Sequence, residues 1–158
     1  MGLACFLWDD FGDEVEPQTP AVHSVHRRKQ GVSNKLIKEQ LVMIKGIGID
    51  AVDLVRIKEI IEKKPRFAAR VLTPDELAIF QQLPPKRQVE FLAGRYACKE
   101  AFAKAWGTGI GKVTFQELAI LNDELGAPYV SQSPHQGQVF VSITHTDTVA
   151  VAQILLAE

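Results

Sequence analysis

The alternation of apolar and polar residues along the chain predicts one early β-strand and a run of strands towards the C-terminus. The early strand, at 44–50 (IKGIGID), places Gly46, Gly48 and Asp50 on one face, because side chains alternate along a strand. Glycines on a strand face allow a close neighbour. The later strands are predicted at 117–122, 128–133, 138–145 and 149–156, with a turn at 146–147.

Three helices are predicted between these strands. The first covers about 54–64 and ends at Pro65, which lacks a backbone donor and clashes with the preceding turn. The second starts at 73–76 (TPDE), where an N-cap threonine is followed by proline and then by glutamate at the third helical position. The third covers about 86–106 and ends at Gly107. A strand, a helical block and a run of strands together indicate an α+β domain.

Residues 1–42 keep neither the period of a strand nor that of a helix, and they gather an acidic run and a basic cluster. A regular pattern of apolar and polar residues begins at Met43, and this methionine could itself be the natural first residue of the protein. We therefore expect 1–42 to be an N-terminal extension that is poorly ordered or not native, and 43–158 to be the folded domain.

Composition and cysteine usage limit the class of protein. An apolar fraction of 46%, a charged fraction of 23% and a net charge of -1 are typical of a soluble globular protein and argue against a globally basic nucleic-acid binder. Cys5 and Cys98 match neither a metal spacing nor a disulfide framework. The apolar stretch 2–8 has no preceding positive residue and is too short to span a membrane. We expect a cytoplasmic protein with no nucleic-acid or membrane partner.

Two carboxylates, Asp50 and Glu100, stand out as candidates for chemistry, although each also has a structural explanation. Asp50 or Asp53 can cap the helix that follows, and Glu100 can pair with Lys104 one helical turn later. However, Tyr96, Glu100 and Lys104 fall on one face of an alanine-rich helix. Mg²⁺ takes one or two protein carboxylates and completes its octahedron with phosphate oxygens and waters. Asp50 and Glu100 would satisfy that demand.

The segment 107–112 (GTGIGK) resembles a phosphate-binding loop but follows a helix, whereas the dinucleotide fingerprint follows a strand and opens a helix. It is therefore a weak nucleotide signal, and a glycine C-cap with a tight turn explains it. Small residues from Gly107 onward would also let a ligand approach the backbone beside Lys104.

Taken together, four segments make the chain similar to the holo-acyl-carrier-protein synthases, the short single-copy type of the 4′-phosphopantetheinyl transferase superfamily. They are GIGIDAVDLVRI at 46–57, FLAGRYACKEAFAKAWGTGIG at 91–111, LNDELGAP at 121–128 and VSITHT at 141–146. The resemblance covers 43–158 in the family's order and leaves 1–42 without a counterpart. Three positions depart from the family pattern without removing a charge: Thr144 replaces the usual serine, Tyr96 a phenylalanine and Cys98 an alanine.

The resemblance implies a 4′-phosphopantetheinyl transferase-like α+β fold, with an antiparallel sheet after the helical block. It implies transfer of the phosphopantetheine arm of coenzyme A to a serine of an acidic acyl carrier protein, in fatty acid biosynthesis, with release of 3′,5′-ADP. It implies Mg²⁺ at Asp50 and Glu100. On this basis we hypothesise that Asp50, Glu100 and Lys104 are catalytic. Lys104 would steady negative charge on the pyrophosphate, and Glu100 would assist serine deprotonation directly or through a water. It also implies a ligand-binding set: Arg95, Lys104 and His145 on the coenzyme A phosphates, and Asn122, Gly126 and Pro128 on the nucleotide side. Gly107 is a further candidate for coenzyme A binding. Outside this motif, a histidine such as His145 in a strand is more often structural.

Basic residues at 56–70 have two explanations. Arg56, Lys63, Arg66 and Arg70 lie near one face if the helical path continues past Pro65. A solvated helix face is one explanation. The family resemblance implies the other, a docking surface for the acidic carrier protein, and it also implies a homotrimer in which a neighbour completes the active site.

Two other functional classes compete with a transferase. A metal-dependent phosphodiesterase would pass the same pyrophosphate bond to water with the same acidic pair. A non-catalytic binding module would use Asp50 and Glu100 only structurally. Analysis of the reaction products distinguishes the phosphodiesterase from the transferase. Binding of coenzyme A without turnover would favour the non-catalytic binding module.

Overall fold

The computed structural model describes residues 42–109 and 111–158, so the predicted extension lies outside the described residues except for Val42. The elements follow the predicted order of one strand, a helical block and a run of strands, which confirms the α+β class. They are β1 (Ile44–Asp53), α1 (Leu54–Lys63), α2 (Phe67–Val71), α3 (Pro74–Gln82), α4 (Pro85–Trp106), a 3₁₀ turn (Phe115–Glu117), β2 (Ala119–Asn122), β3 (Pro128–Gln132), β4 (Gln138–His145) and β5 (Val149–Ala157).

The strands form two antiparallel sheets. Three strands pair in the order β1-β5-β4, and β2 and β3 form a separate hairpin. Helix α4 packs across one face of the three-stranded sheet, and its buried residues, among them Leu92, Ala97 and Phe102, meet Ile154 and Leu156 of β5 in the core. The functional elements β1 and α4 therefore share one hydrophobic layer.

Glycines bring β1 close to α4. A Cβ atom at Gly46 would collide with the carbonyl of Ala105, and one at Gly48 would collide with the carbonyl of Ala101. The glycine face predicted for 44–50 is thus the face on which α4 lies. The helix backbone can come this near only because neither position has a side chain.

Strand β1 is longer than predicted, because β5 continues to pair with it after Asp50. The register runs from Gly48 opposite Ile154 to Asp53 opposite Val149. Asp53 then caps α1, since its carboxylate accepts a hydrogen bond from the backbone N–H of Arg56 at 2.8 Å. The cap role belongs to Asp53, and Asp50 lies within the strand.

The other boundaries follow local chemistry. Thr73 and Glu76 form the predicted capping box at the start of α3, and Gly107 ends α4 with a left-handed φ of 77°. The strand predicted from 117 begins at Ala119, because a second capping box between Thr114 and Glu117 closes the 3₁₀ turn.

The face of the three-stranded sheet away from α4 is apolar and open. Ile47 and Ile49 of β1 are 62% and 60% exposed, and Phe140 of β4 is 52% exposed. Leu155 of β5 is registered opposite both Ile47 and Phe140, so one apolar row crosses all three strands. Within the described residues, no helix combines the length and apolar character needed to cross a membrane.

Candidate active site

The two candidate carboxylates lie in one cavity of about 620 Å³, here called the acidic cleft. Asp50 of β1 and Glu100 of α4 line it, together with Asp53, Arg56 and Tyr96. The side chain of Asp50 is only 18% exposed. The glycine face of β1 holds the strand against α4 at this level, so Asp50 and Glu100 reach the same cavity although they are fifty residues apart in sequence.

Lys104 adds a cation beside Asp50. Its ammonium donates to Asp50 Oδ1 at 2.8 Å and to the carbonyl of Ile49 at 3.0 Å. The local pair between Glu100 and Lys104 that helical spacing allows does not form, because β1 supplies acceptors to Lys104 instead. The carboxylate of Glu100 is thereby left to the acidic cleft.

Tyr96 lines the acidic cleft together with Glu100. Its ring packs between Phe67 and Phe115, with ring centroids at 6.0 Å and 5.5 Å. Burial raises the pKa of the Tyr96 hydroxyl, and the negative charge of Glu100 and a hydrogen bond with it raise this pKa further. The Glu100 carboxylate therefore lies close to the Tyr96 hydroxyl in the acidic cleft.

The donors in the acidic cleft fit Mg²⁺. Two carboxylates from different elements supply hard oxygen ligands, and phosphate and water can supply the rest. In the part of the chain that the structure describes, no group of three or more His, Cys, Asp or Glu residues could hold a metal ion by itself. The arrangement therefore suits a metal that shares its ligands with a phosphate substrate.

A second cavity, of about 220 Å³ and here called the arginine pocket, lies between α4, the β2–β3 hairpin and β4. Arg95 is its central cation: Nε donates to the carbonyl of Ile120 at 3.1 Å, and a terminal nitrogen donates to Asn122 Oδ1. The guanidinium carbon lies 4.1 Å from the ring centre of Phe91. Burial lowers the pKa of Arg95 below its usual value.

A tight turn brings Asn122 and Pro128 together at the arginine pocket. Asp123 accepts hydrogen bonds from the backbone N–H groups of Leu125 and Ala127 at 2.9 Å and 2.8 Å. Gly126 has a φ of 86° and accepts from the side-chain amide of Asn122 at 2.6 Å. The glycine is needed because an L side chain is strained at this φ.

Five of the residues proposed for coenzyme A binding line the arginine pocket: Arg95, Asn122, Gly126, Pro128 and His145. Lys104 and Gly107 do not. Lys104 instead forms an ion pair with Asp50. Gly107 caps the C-terminus of α4 and lines neither the acidic cleft nor the arginine pocket.

Arg87 and Phe91 also line the arginine pocket, although neither was predicted from the sequence as a site residue. Their spacing in the sequence would have allowed this prediction. Arg87, Phe91 and Arg95 are four residues apart, so they lie on one face of α4.

The acidic cleft and the arginine pocket share no lining residue. Arg95 and Glu100 belong to the same helix, but five residues turn the helix by about 140° beyond one full turn. Their side chains therefore leave α4 in different directions. A ligand that needs both must extend around the helix or use a second chain.

The predicted basic face at 56–70 is divided between two helices. Helix α1 ends at Lys63, so the helical path does not continue past Pro65, and Phe67 begins α2. Arg56 lines the acidic cleft, while Arg66 and Arg70 line a separate cavity of about 330 Å³. Lys63 pairs with Glu59 at 2.9 Å on the surface.

Cys98, two residues from Glu100, has no features of a nucleophile. The thiol is fully buried, and burial raises its pKa to about 12. Any group transfer at this site therefore runs without a cysteine intermediate at this position.

Comparison with known proteins gives one family. The model of the 4′-phosphopantetheinyl transferase superfamily matches residues 46–154. The holo-[acyl-carrier-protein] synthase of Enterococcus faecalis is 68% identical over 114 residues, which cover 72% of this chain and 97% of the relative. That of Streptococcus sanguinis is 55% identical over 116 residues, covering 73% and 97%. A crystal structure of a holo-(acyl-carrier-protein) synthase from Bacillus anthracis in complex with CoA (3′,5′-ADP) superposes with a TM-score of 0.68 at 44% identity, covering 73% of this chain and 98% of that one.

Proposed function

Because the chain belongs to the 4′-phosphopantetheinyl transferase superfamily, we infer that it works as a holo-[acyl-carrier-protein] synthase. It transfers the 4′-phosphopantetheine group from coenzyme A to a serine of apo-acyl carrier protein, giving the holo form and 3′,5′-ADP. The observation that carries this conclusion is the 68% identity to such an enzyme over nearly the whole length of that enzyme.

We propose that Asp50 and Glu100 hold Mg²⁺ in the acidic cleft. The presence of both carboxylates in one cavity supports the site. When bound, Mg²⁺ supplies positive charge that neutralises the coenzyme A pyrophosphate. Lys104 pairs with Asp50, which lines the cleft, and is 53% exposed, so it can turn towards a phosphate and steady its negative charge.

The transfer itself is a direct displacement. The carrier serine oxygen bonds to the β-phosphorus of coenzyme A, and the bond from that phosphorus to the oxygen of 3′,5′-ADP breaks. The serine proton goes to Glu100, directly or through a water, because Glu100 has no lysine partner and faces the acidic cleft.

We propose that the arginine pocket holds the nucleotide end of coenzyme A. The buried guanidinium of Arg95 and the ring of His145 provide donors for phosphate, and Asn122, Gly126 and Pro128 shape the wall. Arg87 joins this set on the evidence of its position. Gly107 stays a weaker candidate, because it contributes only backbone.

We propose a homotrimer in which the acidic cleft of one chain faces the arginine pocket of its neighbour. The open apolar row of Ile47, Leu155 and Phe140 offers a surface to bury, and closed cyclic symmetry buries one such surface per chain. The separation of the two cavities within one chain is consistent with a site completed by a neighbour.

We propose that the acidic carrier protein docks over α1 and α2. Arg56 reaches the acidic cleft, while Arg66, the residue before α2, and Arg70, within α2, line the neighbouring cavity. A bound carrier would therefore have basic residues on the approach to Glu100. The protein is proposed to act in fatty acid biosynthesis in the cytoplasm, where reducing conditions suit the free thiol of Cys98.

Product analysis tests the proposal. Incubation with apo-acyl carrier protein, coenzyme A and Mg²⁺ should give equal amounts of holo-carrier and 3′,5′-ADP. Release of free 4′-phosphopantetheine with an unmodified carrier would instead identify a phosphodiesterase. Omitting Mg²⁺ should stop the transfer.

A further inference from the structure

Glu76 of α3 and Lys99 of α4 form an ion pair in the core of the protein. Lys99 Nζ lies 2.7 Å from Glu76 Oε2, and the two side chains are 1% and 0% exposed. Replacing such a pair by apolar residues of similar volume is often neutral or stabilising, because both charges lose their hydration when buried. Stability alone therefore does not explain this pair.

Lys99 has a complete set of acceptors. Besides Glu76, its ammonium donates to the carbonyl of Val71 at 2.7 Å and to that of Phe115 at 2.8 Å. These three acceptors belong to the end of α2, to α3 and to the 3₁₀ turn. The lysine thereby fixes Glu76 to α4.

Glu76 also binds the β2–β3 hairpin, through Ile120 of β2. One carboxylate oxygen accepts from Lys99 and from the backbone N–H of Thr73 at 2.8 Å, as part of the α3 capping box. The other oxygen, Oε1, accepts from the backbone N–H of Ile120 at 2.9 Å. Thus Glu76 joins α4 to strand β2.

Ile120 is the point at which this network meets the arginine pocket. Its N–H is bound by Glu76, and its carbonyl accepts from Arg95 Nε at 3.1 Å. Both polar backbone groups of one residue are therefore held by side chains, and Asn122, the second anchor of Arg95, follows two residues later. A shift of Ile120 would move both anchors of the guanidinium.

We propose that Glu76 and Lys99 are positioning residues for Arg95, and that they set the affinity of the arginine pocket for the phosphate-bearing end of coenzyme A. This inference rests on the proposed role of Arg95 in coenzyme A binding. Neither Glu76 nor Lys99 touches the ligand. They act by fixing Ile120, and the chemical step in the acidic cleft does not depend on them.

Two double variants isolate the hydrogen bond that the side chain at position 76 accepts from the backbone N–H of Ile120. Glu76→Gln with Lys99→Met removes both charges, and the single glutamine carbonyl oxygen can still accept from Ile120 in the place of Oε1. The glutamine NH2 group then lies in the place of Oε2, so the capping bond from Thr73 is lost in this variant as in the next. Glu76→Met with Lys99→Met has nearly the same volume and no acceptor. Loss of the Lys99 ammonium is common to both variants, so the difference between them reports the contact to Ile120.

Affinity for 3′,5′-ADP by calorimetry, with KM and kcat for coenzyme A, gives the readout. The glutamine–methionine variant should stay within about twofold of wild type. The methionine–methionine variant should bind on the order of tenfold more weakly, with a raised KM and an unchanged kcat; the magnitude is the lower end of the effect known for outer-shell partners of metal ligands. If one variant unfolds in buffer, both are measured in trimethylamine N-oxide, which favours the folded state.

Arg95→Ala serves as the reference. If Arg95→Ala loses affinity for 3′,5′-ADP but the two double variants bind it equally well, the positioning role is refuted and the pair is only structural. A fall in kcat at unchanged KM in the methionine–methionine variant would refute it as well. If Arg95→Ala binds 3′,5′-ADP like wild type, the assignment of the arginine pocket itself fails.

Discussion

Gly48→Ala should separate the two carboxylates of the acidic cleft. A Cβ at Gly48 would overlap the carbonyl oxygen of Ala101 and lie 2.8 Å from the backbone nitrogen of Ala105, whereas ordinary contact begins at 3.4 Å. Both are backbone atoms and cannot rotate away, so β1 must move from α4 by on the order of 1 Å, since well-packed interiors transmit such strain. Asp50 lies two residues further along the same strand face and moves with it.

The variant should lose both activity and stability. Overpacking costs about 1–3 kcal/mol, and a displacement of about 1 Å at a reacting centre can lower the rate about 10²-fold, which is about 2.7 kcal/mol. Transfer to apo-acyl carrier protein is followed by intact-mass spectrometry, and stability by thermal unfolding.

Ile154→Val is the matched control for Gly48→Ala. Ile154 is paired opposite Gly48 on β5 and is fully buried. Its truncation costs about 0.5–1.5 kcal/mol without pushing β1 away from α4. If Gly48→Ala keeps wild-type transfer, or loses no more activity than the control, the close approach of β1 does not position Asp50.

Four further outcomes are expected. Glu100→Gln should nearly abolish transfer while leaving 3′,5′-ADP binding intact, and wild-type rates in the folded variant would remove Glu100 from the mechanism. Lys104→Ala should lower kcat with little change in unfolding temperature, because Lys104, the outer partner of its ion pair with Asp50, is 53% exposed and ion pairs open to solvent contribute little to stability. A variant that mainly unfolds would make Lys104 structural. Arg56→Glu with Arg70→Glu should raise KM for the carrier but not for coenzyme A, with wild-type transfer falling as salt rises; an unchanged carrier KM at low salt would place the docking surface elsewhere. Cys98, with a thiol pKa of about 12, should resist iodoacetamide at pH 8 until the protein unfolds, and modification of the folded protein would contradict its burial.

Features that depend on neighbouring residues were well predicted from the sequence. The capping box at Thr73, the C-terminal glycine of α4 and the glycine face of β1 each rest on local backbone chemistry, and the structure contains all three. The family resemblance added residues from distant segments, such as Arg95 and Asn122, which do meet in one pocket.

Features that depend on tertiary pairing were not predictable in the same way. β1 extends to Asp53 because β5 offers it a partner, and Lys104 turns to β1 because two glycines bring that strand within reach. The Glu76–Lys99 ion pair joins residues that are 23 positions apart, and no local sequence pattern predicts this contact. In these cases the partner across the core decides between local alternatives of similar energy.

The central claim is that the acidic cleft of one chain and the arginine pocket of another form one active site, and subunit mixing tests it most directly. Glu100→Gln and Arg95→Ala should each be inactive in carrier modification at limiting coenzyme A. When the two are co-expressed in equal amounts, random assembly leaves about a quarter of the composite sites with both intact halves, so about a quarter of wild-type activity per site should return. No recovery in mixed oligomers, confirmed as mixed by native mass spectrometry, would contradict a shared site.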